Sequence, residues 1–323
     1  MKVPYDIKKY LSVGTNKEEL FNLIRRAIAE NNTRQVTVYF CLRDCFQIKQ
    51  RDERPRPDLF SNHEEADTKL VAYAKLVNSG SAMVRSPSGD IDIVALFVYH
   101  FTDSNVNIFV DNGTGSQRKI FDINSCTLLP DHRDAMLGNH AVSGNDYLSS
   151  FFRKGKKTCW KKVLSNKKYI HCFSELGLEQ KIGESTRETL ESFICSLYGR
   201  PKIRHVNEAR SSLFWSKYRE NNKIIELCLL PPCRKNLDLH LERSNYIAYL
   251  YKNSDKLVMD IECPTLHGRG DNGSIKWVEE NFPGDITEIL LRAEKSVEED
   301  ELDHQSEDVD ESDDADICLV DFS

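Results

Sequence analysis

Three acidic stations punctuate the first half of the chain: Glu64-Glu65-Ala66-Asp67, Asp90-Ile91-Asp92 and Gly144-Asn145-Asp146. Carboxylates brought together repel one another unless a cation holds them, and Mg²⁺ or Mn²⁺ prefers oxygen donors of this kind. One or two such ions on Glu65, Asp67, Asp90, Asp92 and Asp146 would activate water and stabilise a leaving oxygen, the chemistry of phosphodiester hydrolysis. A basic turn around one glycine follows the third station: Arg153, Lys154, Gly155, Lys156 and Lys157. From Arg153 to Lys168, eight of sixteen residues are Lys or Arg, Lys161 and Lys162 among them, with Trp160 inside the run and Tyr169 next. Such a run meets a phosphate backbone without reading its sequence.

Each feature also has a plain structural explanation. Acids in a first helical turn satisfy the helix dipole and cap free amides. Asp146 in Gly-Asn-Asp is a common turn residue, and the basic run could be a solvated helix or a nuclear localisation segment. Asp90 and Asp92 fit this explanation less well, because they head an apolar run and buried unpaired charge is costly. The stations carry weight jointly: three of them, in order, with the last leading into the basic turn.

Hydrophobic patterning supplies the elements that would position these residues. Thr15-Asn16-Lys17-Glu18 reads as a capping box before a helix of about fifteen residues through Leu20, Leu23, Ile24, Ala27 and Ile28, closed by Asn31-Asn32. Val36 to Leu42 is a strand and Arg51 to Pro57 a loop. A second helix, capped by Ser61 or Asn62, carries Ala66, Leu70, Tyr73, Ala74 and Val77 on its apolar face and stops at Gly80. Ala82 to Val84 is a short strand, and Asp90 to Tyr99 reads as a buried helix or a strand, with the preceding strand and turn favouring a helix that begins at Asp90. Val106–Asp111 and Arg118–Phe121 pair around Asn112-Gly113-Thr114-Gly115. Alternating strands and helices predict an α/β fold, a mostly parallel sheet flanked by helices, whose strand ends open on one crevice. Beyond Tyr169 the pattern turns helical, at Arg187–Tyr198, Ser211–Asn221 and Leu237–Tyr251.

Composition bounds the reading. The 323 residues allow roughly two domains. No apolar stretch approaches the ~20 residues of a membrane span, so no membrane partner is expected. The first residues lack the plan of a secretory signal. The ten cysteines are scattered singly and read as reduced thiols of an intracellular, more nuclear than cytoplasmic, protein. Zinc on Cys228 and Cys233, or on Cys263 and His267, is the alternative, without the paired spacing of a zinc ribbon. The net charge is −7, but thirteen Asp and Glu and no Lys or Arg follow from Glu298 onward, leaving +6 on residues 1–297. The body is basic and the tail acidic.

On these residues the chain resembles a PIN-like domain of the flap-endonuclease/XPG class, and within it a group of transposon-associated animal proteins. In that class a Glu-x-acid pair opens a helix, an Asp-x-Asp follows after one strand, and a Gly-x-Asp leads into a helix-hairpin-helix. Glu65 and Asp67 match the pair, with Asp in place of the more usual Glu; Asp90 and Asp92 match the second station, Asp146 the third and Gly155 the hairpin glycine. The likeness continues through Leu197-Tyr198-Gly199-Arg200, Asn207-Glu208-Ala209-Arg210, Leu230-Pro231-Pro232 and His240 to Tyr246. It implies a PIN-like domain over 1–165 ending in a helix-hairpin-helix-like basic turn, a mostly helical segment over 166–292 and a disordered acidic tail over 293–323. It also implies a first strand ending in a metal-binding Asp; residues 1–35 contain no apolar run ending in Asp, so that strand is expected to be lacking. Two functions follow: a Mg²⁺- or Mn²⁺-dependent nuclease acting on DNA or RNA, or an inactive nucleic-acid-binding or scaffold protein on the same fold. In the tail, Ile317, Leu319 and Val320 behind a row of acids resemble a SUMO-interacting motif, which implies SUMO as a partner.

Overall fold

The computed structural model describes residues 5–33, 35–221, 226–271, 274–276 and 278. The expected acidic tail over 293–323, with Ile317, Leu319 and Val320, lies outside the described residues. Two compact units divide the chain, one of residues 1–64 with 256–259 and the other of 65–255 with 260–323. The division expected at 165/166 therefore falls inside the second unit.

The first unit carries α1 (Ile7–Leu11), α2 (Gly14–Asn31) and an antiparallel meander of β1 (Thr37–Cys41), β2 (Cys45–Lys49) and β3 (Asp52–Pro55). Helix α2 starts at Gly14, so Thr15 sits inside it rather than capping it, while Asn32 ends it as expected. Arg25 ties α2 to the sheet: it pairs with Glu53, and its guanidinium lies 4.1 Å from the Phe46 ring centre. Ile48 is fully buried. The segment read as a loop from Arg51 to Pro57 contains β3. Its turn places Gln50 and Arg51 at positive φ, 49° and 67°, where two-residue hairpins usually show Asn or Gly. That turn carries no compositional signal.

The second unit begins with α3 (Ala66–Ala74), then β4 (Ser81–Ser86), α4 (Ile91–Phe101), β5 (Asn107–Asn112) and β6 (Lys119–Asp122). Strands β4 and β5 pair in parallel, from Ser81↔Asn107 to Ser86↔Asn112, and β6 pairs with β5 in the opposite sense. The expectation of a mostly parallel sheet is thus corrected: among the described residues one of four strand pairings is parallel. The cause is connection length. The α4 crossover permits the parallel step, whereas the short link from Asn112 to Lys119 can only fold back. Ile93, Phe97, Val98 and Phe101 of α4 pack on Ile108 and Val110 of β5, all nearly or wholly inaccessible.

Helices α5 (Pro130–Val142), α6 (Lys156–Leu164), α7 (Lys167–Glu175), α8 (Glu184–Leu197), α9 (Val206–Asn221) and α10 (Arg234–Lys252) complete the unit. They extend the same core, which runs from Val71 through Phe173 and Phe193 to Tyr251. Helix α3 begins at Ala66 rather than beside Ser61 or Asn62, and it ends six residues before Gly80. The helix-hairpin-helix expectation is also corrected. No helix lies between α5 and Gly155; that glycine caps α6, and α6 and α7 are joined by Ser165-Asn166.

Helix α5 is central and packs against both α7 and α10. Gly138 lets it approach α7, since a Cβ there would stand 2.3 Å from the Phe173 carbonyl oxygen. We expect Gly138→Ala to cost about 1–3 kcal/mol by forcing the two helices apart. Gly14→Ala, with nothing within 4 Å of the new Cβ, should be neutral or slightly stabilising. Urea unfolding of the two variants checks the contrast; equal midpoints would show that the α5–α7 approach is not tight.

Candidate functional site

The carboxyl ends of β4 and β5 and the N-termini of α3 and α4 meet at one cleft. Helix α3 returns to β4 and β4 leads into α4 through Pro87-Ser88-Gly89, so both helices start at the same edge of the sheet. Glu65 is the N-cap residue of α3 and Asp67 lies in its first turn; Asp90 is the N-cap residue of α4 and Asp92 lies in its first turn. Neither Glu65 nor Asp90 makes a side-chain capping hydrogen bond. Capping alone therefore does not account for them. The backbone is pinned instead: Asn112 Nδ2 donates to the Asp90 carbonyl at 3.0 Å, and the Asp90 N–H donates to Ser88 Oγ at 3.3 Å.

The third station arrives on the turn after α5. Gly144 takes φ 100°, and a Cβ there would stand 2.8 Å from Ser150 Cα. Asn145 Oδ1 accepts the Tyr147 N–H at 2.9 Å, which turns Asn145 Nδ2 toward the Tyr251 hydroxyl at 3.3 Å. The turn is held from beneath by buried His240 of α10, whose Nε2 donates to the Val142 carbonyl at 2.9 Å. Burial brings the His240 pKa down to about 4, so the ring is neutral.

The resulting cleft has a volume of about 380 Å³ and is lined by all five predicted acids, Glu65, Asp67, Asp90, Asp92 and Asp146, together with Lys156 and Tyr251. Burial raises the Asp67 pKa, and the nearby charges of Asp92, Asp90 and Asp146 raise it further. Asp92 moves the other way. Burial pulls it up, but His140 and Lys156 outweigh that pull and hold its carboxyl below the ordinary range. His140 Nε2 lies 3.0 Å from Asp92 Oδ2 and Lys156 Nζ lies 3.7 Å from Asp92 Oδ1. Asp111, at the end of β5, belongs to a different arrangement: Arg118 grips both of its oxygens, at 2.7 and 2.8 Å, and Arg85 holds it at 3.0 Å.

The donors suit a hard divalent cation in kind, being carboxylates with no thiol among them. As placed, no three His, Cys, Asp or Glu side chains among the described residues already form a metal-holding group. A cation would compete with Lys156 for Asp92. Cys228, Cys233 and Cys263 carry free thiols.

The basic residues spread from the rim of the cleft. Lys156, the first residue of α6, lies between the two regions and lines the cleft itself. Arg153 is exposed at φ 55° and covers the Phe152 ring, while Lys154 Nζ lies 5.4 Å from the Tyr198 ring centre. Gly155, Lys157 and Lys161 are exposed, and Lys162 is half-buried. His140 and Tyr251 escape sequence reasoning. His140 lies in a helix without clear apolar periodicity, and Tyr251 stands more than a hundred residues beyond the last acid, in a run that reads as core. No protein-family model, curated protein or solved structure matches the chain.

The opposed shifts of two neighbouring acids give a signed prediction. A lowered carboxylate contributes stability above its unfolded pKa, and this is lost as pH falls through its folded value. A raised one contributes stability that is fully present below its unfolded pKa and is lost as pH rises through its folded value. At pH 7, Asp92→Asn should therefore destabilise, by about 1–3 kcal/mol for a charge-assisted contact, while Asp67→Asn should raise the melting temperature. Thermal unfolding of both variants at pH 7 without divalent ions checks the pair; the same sign for both would contradict the charge map.

Proposed function

We propose that the chain acts on the phosphodiester backbone of DNA or RNA as a metal-dependent nuclease-like protein of the PIN-like flap-endonuclease/XPG type. The observation that carries this reading is the convergence of five carboxylates, separated by up to 81 positions in sequence, on one cleft whose rim carries Lys156 and the basic segment behind it. Glu65, Asp67, Asp90, Asp92 and Asp146 would hold one or two Mg²⁺ or Mn²⁺ ions, which supply a nucleophilic hydroxide and charge stabilisation for the leaving oxygen. The chain's own residues have separate tasks. Asp67, with its raised pKa, would be relieved by an added positive charge. Lys156 can move from Asp92 to a phosphate oxygen, exchanging one anion for another. Lys154, Lys157 and Lys161 would seat the flanking backbone through charge alone.

A second reading rests on the same Lys156. With Asp92 already held by His140 and Lys156, the cleft is neutralised in part without any ion, which suits a protein that binds backbone without cutting it. Nuclear location belongs with either reading.

Cleavage of flap, hairpin and single-stranded substrates during a Mn²⁺ titration separates the two. The nuclease reading expects metal-dependent products that vanish in Asp90→Asn/Asp92→Asn; binding without products at any Mn²⁺ concentration favours the second. Replacing Lys154, Lys156 and Lys157 together with Ala should weaken binding on every sequence alike and flatten the slope of log affinity against log salt by about 3. Unchanged binding would remove the basic segment from the account.

A further inference from the structure

Cys41 and Cys45 stand directly opposite one another across β1 and β2. Opposite residues of an antiparallel pair share one face of the sheet and alternate between hydrogen-bonded pairs, with Cα atoms about 5.5 Å apart, and non-bonded pairs at about 4.5 Å. Two backbone bonds decide which kind this is. The Cys45 carbonyl accepts the Arg56 N–H at 2.7 Å, so the polar backbone of Cys45 faces the β3 side. One step nearer the hairpin end, the Leu42 N–H donates to the Asp44 carbonyl at 3.2 Å. The hydrogen-bonded pair is therefore 42/44, and 41/45 is a non-bonded pair. At that site the two Cβ atoms come within the reach of a disulfide, which spans Cα separations of about 4.4–6.8 Å. Neither cysteine is in a disulfide in this structure. Cys41 is partly exposed, whereas Cys45 is buried and donates weakly to the Leu59 carbonyl at 3.1 Å.

We propose that Cys41 and Cys45 form a reversible cross-strand disulfide when the protein meets a low-molecular-weight disulfide such as oxidised glutathione. The Cys41 thiolate attacks one sulfur of the oxidant, breaking its S–S bond and releasing one glutathione thiolate. Cys45 then loses its proton and attacks the Cys41 sulfur of the mixed disulfide, releasing the second glutathione. Two protein thiols are oxidised, one glutathione disulfide is reduced to two thiols, and the two protons pass to the leaving thiolates. Closure fixes the hairpin covalently and removes the Cys45 hydrogen bond to Leu59. Three buried cysteines are poor competitors: burial pushes the thiols of Cys159, Cys172 and Cys195 up to about 11, 12 and 12, so they stay protonated.

The test uses the full chain incubated with oxidised glutathione, folded and again in urea, then blocked with N-ethylmaleimide and digested with trypsin. Cleavage after Arg43 separates the two cysteines, so the bond survives as two peptides joined through Cys41 and Cys45, lighter by two hydrogens and freed by dithiothreitol. This linked pair should be the main disulfide product of the folded protein and lose its dominance in urea. In Cys45→Ser, oxidation should stop with one glutathione on Cys41. Full alkylation of both cysteines in the folded wild type, their linkage mainly to other cysteines, or no glutathione on Cys41 in Cys45→Ser would each overturn the proposal.

Discussion

Like charge gathered in a small space is the constraint on which the second unit is built. Five carboxylates share one cleft, and their mutual repulsion opposes the fold unless other groups offset it. The helix N-termini of α3 and α4 offer partial positive charge along the cleft edge, and His140 and Lys156 offset Asp92 directly. Burial first, and then the charges of Asp92, Asp90 and Asp146, make Asp67 hold its proton more tightly. An added cation in the cleft would relieve this crowding at Asp67.

That constraint calls for a scaffold that holds the acids in place. The third station sits on a turn made by Gly144 at φ 100°, and it is held from two directions. Tyr251 accepts Asn145 Nδ2 from one side, and His240 anchors the end of α5 from the other. Both come from α10, so the late helical segment helps to place Asp146. A buried histidine that stays neutral suits this task, because burying a charge there would be costly. Gly138 lets α5 press on α7 while His140 projects toward Asp92 from the same helix.

Much of this was legible in the sequence where local chemistry and tertiary role agree. Helix α4 was readable because Asp90 precedes an apolar run, and the β5–β6 pair because Gly113 and Gly115 mark its turn. The five acids were readable as a set because each falls at an element boundary. Helix α5 was not, since its buried Arg133, Asn139 and His140 erase the apolar period that would reveal it. Strand β3 was hidden by its charged residues and by a Gln-Arg turn lacking glycine. Sheet orientation was misjudged because strand–helix alternation extends only from β4 to β5, after which a short link reverses direction. Tyr251 had no signal at all, because an aromatic at a core position of a helix looks the same whether or not its hydroxyl reaches a cleft.

The most direct test of the central claim is anomalous diffraction from crystals soaked in millimolar Mn²⁺. The account predicts an anomalous peak inside the cleft, within ligand distance of carboxylates from at least two of the three stations, with Lys156 displaced from Asp92. A peak confined to other surfaces, or a cleft that stays without one while Lys156 keeps its contact with Asp92, would contradict it.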